Sequence, residues 1–291
     1  MDKLAIQMPK VVAEIGCNHK GELGIAKELI QDAKNAGADV AKFQKRSNRE
    51  LLSEEQYMSP HPVPENSYGN TYGEHREFLE FNLNSHKELK SFCESIDIDY
   101  STSVWDVTSA KEIMTLQPKF LKIPSACNNN YGLLETLRDE FSGEIHISLG
   151  MTTKAEEDKL TDFLSESKRK IVLYHCTSGY PVPPEDICLL EIRRLVEDYG
   201  QEILGVGFSG HHVDISIDLP AVTLGASWLE RHFTKNKKWK GTDHSASLEF
   251  DDLKKLINNL KLSTKALTYK SKEILDIEIP QREKLKFSLN K

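Results

Sequence analysis

Two stretches of the chain end apolar runs in ionisable side chains: VVAEIGCNHKG over residues 11–21 and SWLERHFTKNKKWKGTDHSASLEF over residues 227–250. Glu14, Asn18 and His19 close the first; Arg231, His232, Asp243 and His244 close the second. Charge at the end of a buried strand costs free energy unless a ligand, a metal or a partner group uses it. Two such clusters near opposite ends of one chain imply a sheet that closes on itself and brings them together. The arrangement recurs between them. Lys42 and Gln44 share a face at the period of two that a strand has. Lys122 follows an apolar pair, and Ser101, Thr102, Ser103, Ser125, Ser148, Thr177, Ser178, Tyr180 and Ser209 end or follow further apolar runs. Two lysines among hydroxyls suit a phosphate or oxyanion, although either lysine alone could snorkel to water. His211 and His232 end what read as neighbouring strands, with Glu14 and Asp243 in reach. That donor set suits Mn, Fe, Co or Zn better than Ca. His175 and His212 read equally as ligands or as satisfied core residues, and Cys17 and Cys176 as packing.

The elements that must position these residues follow from periodicity. Strand-like runs cover 11–16, 40–44, 99–104, 120–125, 144–150, 171–176, 203–209 and 228–234. The segments between them mostly repeat apolar residues at i, i+3, i+4 and i+7, as helices do. Eight strand–helix alternations predict an α/β fold, a (β/α)8 TIM barrel, with its chemistry where the strands end. An open doubly wound sheet is the competitor, but its G-x-G-x-x-G fingerprint is absent. The barrel domain is expected over 1–265, with a tail or linker remnant over 266–291. Residues 46–85 form a long connection after strand 2, and connections of that length are usually functional or disordered. Its Tyr68, Tyr72, His75 and Arg76 are expected to close over a polar substrate; a contact between subunits is the alternative.

Bulk properties narrow the class. A chain of 291 residues accommodates one such barrel. At 38% hydrophobic and 29% charged residues it reads as globular. No run approaches the about 18 apolar residues of a membrane span, and MDKLAIQMPK lacks the core of a signal peptide. The five cysteines form no C-x-x-C pair, which points to reduced thiols and a cytoplasmic protein. A net charge of -7 argues against nucleic acid, but a few focused lysines can still bind a small anion.

The pieces AEIGCNHKG, GADVAKFQ, YGEHREFLEF, STS, LKIPSACNN, ISLGM, YHCTSGYP, GFSGHH, LERHFT and KGTDHSASLE, in this order over roughly residues 10–260, resemble the sialic acid synthase family. Its members condense phosphoenolpyruvate with an N-acyl hexosamine. The resemblance implies the same barrel and the following roles. Lys42, Thr102, Lys122, Ser125, Ser148, Ser178 and Ser209 would form the phosphoenolpyruvate site, with Lys42 and Lys122 catalytic. His211 and His232 would hold a divalent metal, Mn2+ first, with Mg2+ or Co2+ as alternatives. Glu14 would be the acid/base, and Gln44, Tyr180 and Asp243 would contact the acceptor sugar. A homodimer is implied as well.

Two departures fall on the acceptor side. Family members usually add a small antifreeze-like domain, whereas this sequence reaches Lys291 right after IPQREKLKF, so a barrel without that domain is expected. Cys127 stands where the family usually has an acidic residue. The competing readings are a 2-keto-3-deoxy sugar acid synthase with another aldose acceptor, a metal-dependent isomerase or hydrolase on the same barrel, and a non-catalytic phosphoenolpyruvate- or sugar-binding relative.

Overall fold

Eight parallel strands close into one barrel in chain order, β1 pairing with both β2 and β8. The protein is described from a computed structural model, which covers residues 6–165 and 170–287. The outer ends of the expected domain and tail, 1–5 and 288–291, lie outside the described residues, as do 166–169. The strands are β1 Lys10–Gly16, β2 Val40–Lys45, β3 Asp99–Val104, β4 Phe120–Ile123, β5 Glu144–Ser148, β6 Ile171–Cys176, β7 Gly205–Gly210 and β8 Trp228–His232. The helices are α1 Leu23–Ala36, α2 Asn48–Leu51, α3 Glu54–Met58, α4 Tyr72–Phe78, α5 Leu83–Ser95, α6 Val107–Met114, α7 Tyr131–Glu140, α8 Lys154–Phe163, α9 Leu190–Tyr199, α10 Asp218–Thr223, α11 Phe250–Ala266 and α12 Ile279–Leu285.

The helices dock by the periodicity that predicts them. On α1, Ala26, Leu29, Ile30, Ala33 and Ala36 are buried, one stripe at helical spacing. Gly37, at φ +99, ends that helix and caps the carbonyls of Ala33 and Lys34. Thr153 and Glu156 start α8 with a reciprocal capping box. Outward-facing strand residues such as Ile15, Phe43, Leu121, Ile147 and Leu229 meet these stripes in one apolar layer between sheet and helices.

The inside of the barrel is layered. Val12, Val40 and Phe120 with Trp228 plug its lower end. His146 stacks on Phe120 at 4.0 Å and hydrogen-bonds the Tyr174 hydroxyl at 2.9 Å. Above this floor the register aligns Glu14 with both Lys42 and His232, Gln44 with Ser103, Ser103 with Lys122, and Ser209 with Glu230. Polar residues therefore occupy the last inward positions of the strands. β4 stops at Ile123 rather than at the expected residue 125, because Pro124 has no N–H to give the ladder. The segment 46–85 is mostly short helices, not open loop, and lies over the strand C-terminal ends. Tyr68 donates to the Lys240 carbonyl at 2.6 Å, and Gly241 N–H donates to Asn66 Oδ1 at 3.3 Å. Beyond α11, α12 and its flanks leave Ile277 and Phe287 exposed. No helix among the described residues is long and apolar enough to cross a membrane.

Candidate active site

A cavity of about 320 Å³ opens at the C-terminal end of the barrel, and every strand contributes to its wall. It is lined by Glu14 (β1), Lys42 and Gln44 (β2), Ser103 (β3) and Lys122 (β4), with Ser125 on the following loop. Ser148 (β5), Cys176 (β6), Ser209 (β7), and Glu230 and His232 (β8) continue the ring, with Ser178, Tyr180 and His211 from adjoining loops.

At its base, two lysines and two carboxylates interlock. Lys122 Nζ donates to Glu230 Oε1 at 2.6 Å and sits 4.2 Å from the centre of the Tyr174 ring. Lys42 is ion-paired with Glu14, lies 3.6 Å from Glu230 Oε2, and donates to Ser103 Oγ at 2.7 Å. Ser209 donates to Glu230 Oε1 at 3.2 Å. All four charged side chains are almost fully buried, so each depends on the others for its charge. Burial opposes ionisation of Glu230, but Lys122 and Lys42 overcome it and hold the carboxyl down to about 2. Burial raises Glu14 more than Lys42 lowers it, and Glu230 adds to the rise. The same burial pushes Lys122 down against the pull of Glu230. The two carboxylates are thus unequal: Glu230 is the fixed anion and Glu14 the one that holds a proton more readily. Separated acid strengths are how sites assign acid and base roles.

Around Lys122 the hydroxyls converge on one backbone turn. Gly150 N–H donates to Ser125 Oγ at 3.0 Å. A Cβ on Gly150 would stand 2.5 Å from Ser178 Oγ and 2.7 Å from Ser125 Oγ. Only glycine lets both serines close on the main chain. Together with Ser148 and Ser209, this is a cradle of hydroxyls and ammonium groups suited to an anion.

His211 and His232 face one another with ring centroids 5.4 Å apart, and Tyr180 lies 4.2 Å from His211. The His211 Nδ1 hydrogen bond to the Thr177 carbonyl, at 3.0 Å, requires a proton on Nδ1. Burial keeps that ring neutral, its pKa pushed down to about 3, so Nε2 carries a free lone pair. His232 Nδ1 is buried without a hydrogen-bond partner and lies 4.0 Å from Asp243 Oδ2. Two facing imidazoles, His211 with its Nε2 lone pair free, fit a divalent transition ion. Among the described residues no third His, Cys, Asp or Glu completes a metal-binding group.

The structure places most of the expected residues on this cavity but not all. Thr102 does not reach it. It aligns with Phe43, whose side chain faces the helices, and donates to the Tyr100 hydroxyl at 2.6 Å. Ser103, one residue on, takes the inward position because side chains alternate along a strand. Asp243 stands beside His232 rather than in the lining. Cys176, expected to be mere packing, is part of the wall, 4.0 Å from His211 Nδ1. Glu230 is the central residue that the strand-end pattern does not single out. Its signal was the Glu230–His232 spacing of two, which puts both on the inner face of β8. His175 bonds the Ile187 carbonyl at 2.6 Å, and His212 joins the buried Arg231–Asp218 pair, so neither is a ligand. Asn18 and His19 are structural. Asn18 donates to the Phe233 carbonyl and Ser247 Oγ, both at 2.9 Å, joining the loops of β1 and β8, and His19 stacks on Phe81. Neither Arg76 nor Tyr68 lines the cavity: Arg76 is buried against Asn48 and Tyr72, and Tyr68 donates to the Lys240 carbonyl.

A model of one protein family matches residues 29–272, and its description is the NeuB family. A mouse N-acetylneuraminate-9-phosphate synthase is 38% identical over 282 residues, covering 94% of this chain and 76% of the mouse protein. The chain belongs to the NeuB family. An N,N'-diacetyllegionaminic acid synthase of Campylobacter jejuni is 32% identical over 88% of this chain and 77% of its own length. Among solved structures, a sialic acid synthetase of Leptospira borgpetersenii in complex with citrate superposes with a TM-score of 0.81 at 26% identity, over 97% of this chain and 94% of that one. This NeuB barrel therefore sits among proteins named for making sialic and legionaminic acids.

Proposed function

We propose that this NeuB-family enzyme makes a nonulosonic acid by condensing phosphoenolpyruvate with an open-chain N-acyl hexosamine, releasing phosphate by C–O cleavage. The observation that carries this reading is the Lys42–Glu230–Lys122 array inside a hydroxyl cradle, in one cavity with His211 and His232. The lysines with Ser103, Ser125, Ser148, Ser178 and Ser209 hold the carboxylate and phosphate and aim C3 of phosphoenolpyruvate, an orientation effect. Gln44, Tyr180 and Asp243 face the acceptor. A divalent ion, Mn2+ or else Mg2+ or Co2+, held by His211 and His232 supplies Lewis-acid polarisation of the aldehyde oxygen when bound.

C3 attacks the aldehyde carbon, and positive charge develops at C2. Glu14, next to Lys42 and within 3.1 Å of Gln44 Nε2, stabilises that charge as a carboxylate. Water then adds at C2, and the tetrahedral adduct loses phosphate with its C–O bond electrons. Glu14, with its raised pKa, takes one proton from that water and passes it to the former aldehyde oxygen, which becomes a hydroxyl, and collapse of the C2 hydroxyl to the ketone gives the second proton to the leaving phosphate. The working form is a homodimer, open to test by sedimentation. The reaction itself is tested by phosphate release from phosphoenolpyruvate with Mn2+ and N-acetylmannosamine, its 6-phosphate, related N-acyl hexosamines and plain aldoses. Release that requires an N-acyl hexosamine supports the reading; release with plain aldoses alone points to a different sugar acid, and binding without release to a non-catalytic protein.

A further inference from the structure

The segment after β2 leaves buried donors without acceptors. Arg76, on α4, is 7% exposed. Its Nε donates to Asn48 Oδ1 at 3.1 Å, and Nη1 donates to the Tyr72 hydroxyl at 3.2 Å. Among the described residues no carboxylate pairs with it, and neighbouring Arg46, with burial, works against its charge. Arg46 differs, because Glu80 neutralises it at 2.9 Å. The side-chain nitrogen of Asn48 and the indole nitrogen of Trp105 are both buried and have no hydrogen-bond partner. The Trp105 ring lies 5.3 Å from the Arg76 guanidinium. Two residues with orphan donors, Asn48 on α2 and Trp105 after β3, thus stand beside one uncompensated buried cation. Water can satisfy an orphan donor but not the charge; an anion satisfies both.

The place of the cluster says which anion. Trp105 also lines the cavity, beside Gln44 and Ser103. It follows β3, across the ring of strands from β7 and His211. The anions of phosphoenolpyruvate already have Lys42, Lys122 and the serine cradle. A second anionic group in the same cavity belongs to the acceptor, and an N-acyl hexosamine is neutral unless phosphorylated. The mouse relative is named for a 9-phosphate product. Condensation adds three carbons, so C9 of such a product is C6 of the acceptor.

We propose that Arg76, Asn48 and Trp105 bind the phosphate of an N-acyl hexosamine 6-phosphate, reached past the Trp105 ring; this rests on the condensation proposed above. Binding is measured by calorimetry on the whole protein with phosphoenolpyruvate and Mn2+. The probes are the sugar alcohols of N-acetylmannosamine and of its 6-phosphate, which lack the aldehyde and cannot condense, and inorganic phosphate. The phosphorylated alcohol is expected to bind at least about tenfold more tightly than the plain one, the scale of one charge-assisted contact. Arg76→Gln should abolish that ratio and Arg76→Lys should keep part of it. If Arg76→Gln does not fold, Trp105→Phe makes the same comparison with the ring kept and only the N–H removed, and the ratio should fall. Equal affinities for the two alcohols, or a ratio unmoved in the variants, overturn the assignment. Inorganic phosphate binding as tightly as the phosphorylated alcohol, in a manner lost in Arg76→Gln, also overturns it in favour of a free-anion site. Absence of phosphate release with both aldehydes, while the affinity ratio stands, defeats the condensation and leaves this subsite intact.

Discussion

Replacing Lys122 by Met tests whether the buried array is an anion site or only structural. In the protein, Lys122 Nζ is 2.6 Å from Glu230 Oε1, and both side chains are almost wholly buried. The substitution keeps most of the side chain's length and its packing on Tyr174 but deletes the charge. Phosphoenolpyruvate then loses one charge-assisted partner, a loss on the order of 2–5 kcal/mol for a desolvated pair. Glu230 keeps only Lys42, at 3.6 Å, and Ser209, at 3.2 Å, so its charge also repels the incoming ligand more strongly. The dissociation constant should therefore rise roughly 30-fold to several thousandfold, at about 1.4 kcal/mol per tenfold. The double variant Lys122→Met/Glu230→Gln removes the repelling carboxylate and should recover about 1 kcal/mol or more, the coupling expected of residues in direct contact. Calorimetric titration with phosphoenolpyruvate and Mn2+ measures all three proteins, with thermal unfolding as the check on folding. A dissociation constant within about twofold of the parent in the folded single variant, or a double variant that binds more weakly than the single one, would refute the assignment.

The other predictions are independent of that one. Gly150→Ala forces apart Ser125 and Ser178, which a Cβ would approach to 2.7 and 2.5 Å; overpacking of this kind costs about 1–3 kcal/mol, and phosphoenolpyruvate affinity should drop while far-ultraviolet dichroism is unchanged. His232→Ala should leave the purified protein with less bound Mn2+ by elemental analysis and a weaker response to added metal; unchanged metal content sinks the two-histidine site. Burial depresses His19, His86 and His211 to about 3 and His146 to about 4. The unfolded chain protonates these histidines near about 6.5, so below that pH unfolding takes up protons and stability falls as pH drops toward 4. Four such groups amount to about 6 kcal/mol lost by pH 5.5. Metal-free protein should accordingly show a steep fall of its melting temperature between pH 7 and 5.5, and a flat profile there contradicts the neutral, buried histidines.

The barrel is legible because most strands are short apolar runs with polar residues at or near their C-terminal ends, and a helical stripe follows most of them. Strand ends were less so. Thr102 and Ser103 are both small hydroxyl residues on β3, and choosing between them needs the register with β2, where Lys42 aligns with Ser101 and Gln44 with Ser103. That register depends on the pairing of two strands far apart in sequence, which the local pattern does not contain. Glu230 was visible as a strand-end residue, but its role comes from neighbours on β2, β4 and β7 that a reading along one strand does not connect. Arg76 shows the opposite failure. Its charge and its place in a long loop suggested a group reaching over the mouth, whereas Asn48, Tyr72 and Trp105 hold it beneath the surface. Whether a loop arginine is exposed or buried depends on the fold of the loop, and 46–85 folds into short helices that local periodicity does not announce.

The same array accounts for the presence of two carboxylates in a cavity built to take anions. Without ligand, two buried ammonium groups side by side repel each other and lose their hydration, so each needs a counter-charge to stay protonated. Glu230, between Lys42 and Lys122, supplies it to both. A second permanent anion would oppose the substrate for no gain. Glu14 avoids that opposition because burial and the charge of Glu230 raise its pKa, while Lys42 keeps its ionised form accessible. When a ligand bearing a carboxylate and a phosphate enters, Lys42 shifts its attraction toward the new anion, and the balance at Glu14 moves further toward the proton-bearing carboxyl. On the proposed reaction Glu14 starts ionised beside Lys42, and its raised affinity for a proton lets it hold the one it takes from water while the phosphorylated adduct is bound. A group that takes a proton from water must begin as the carboxylate, and Lys42 keeps that form of Glu14 accessible while burial and Glu230 raise its hold on the proton once gained.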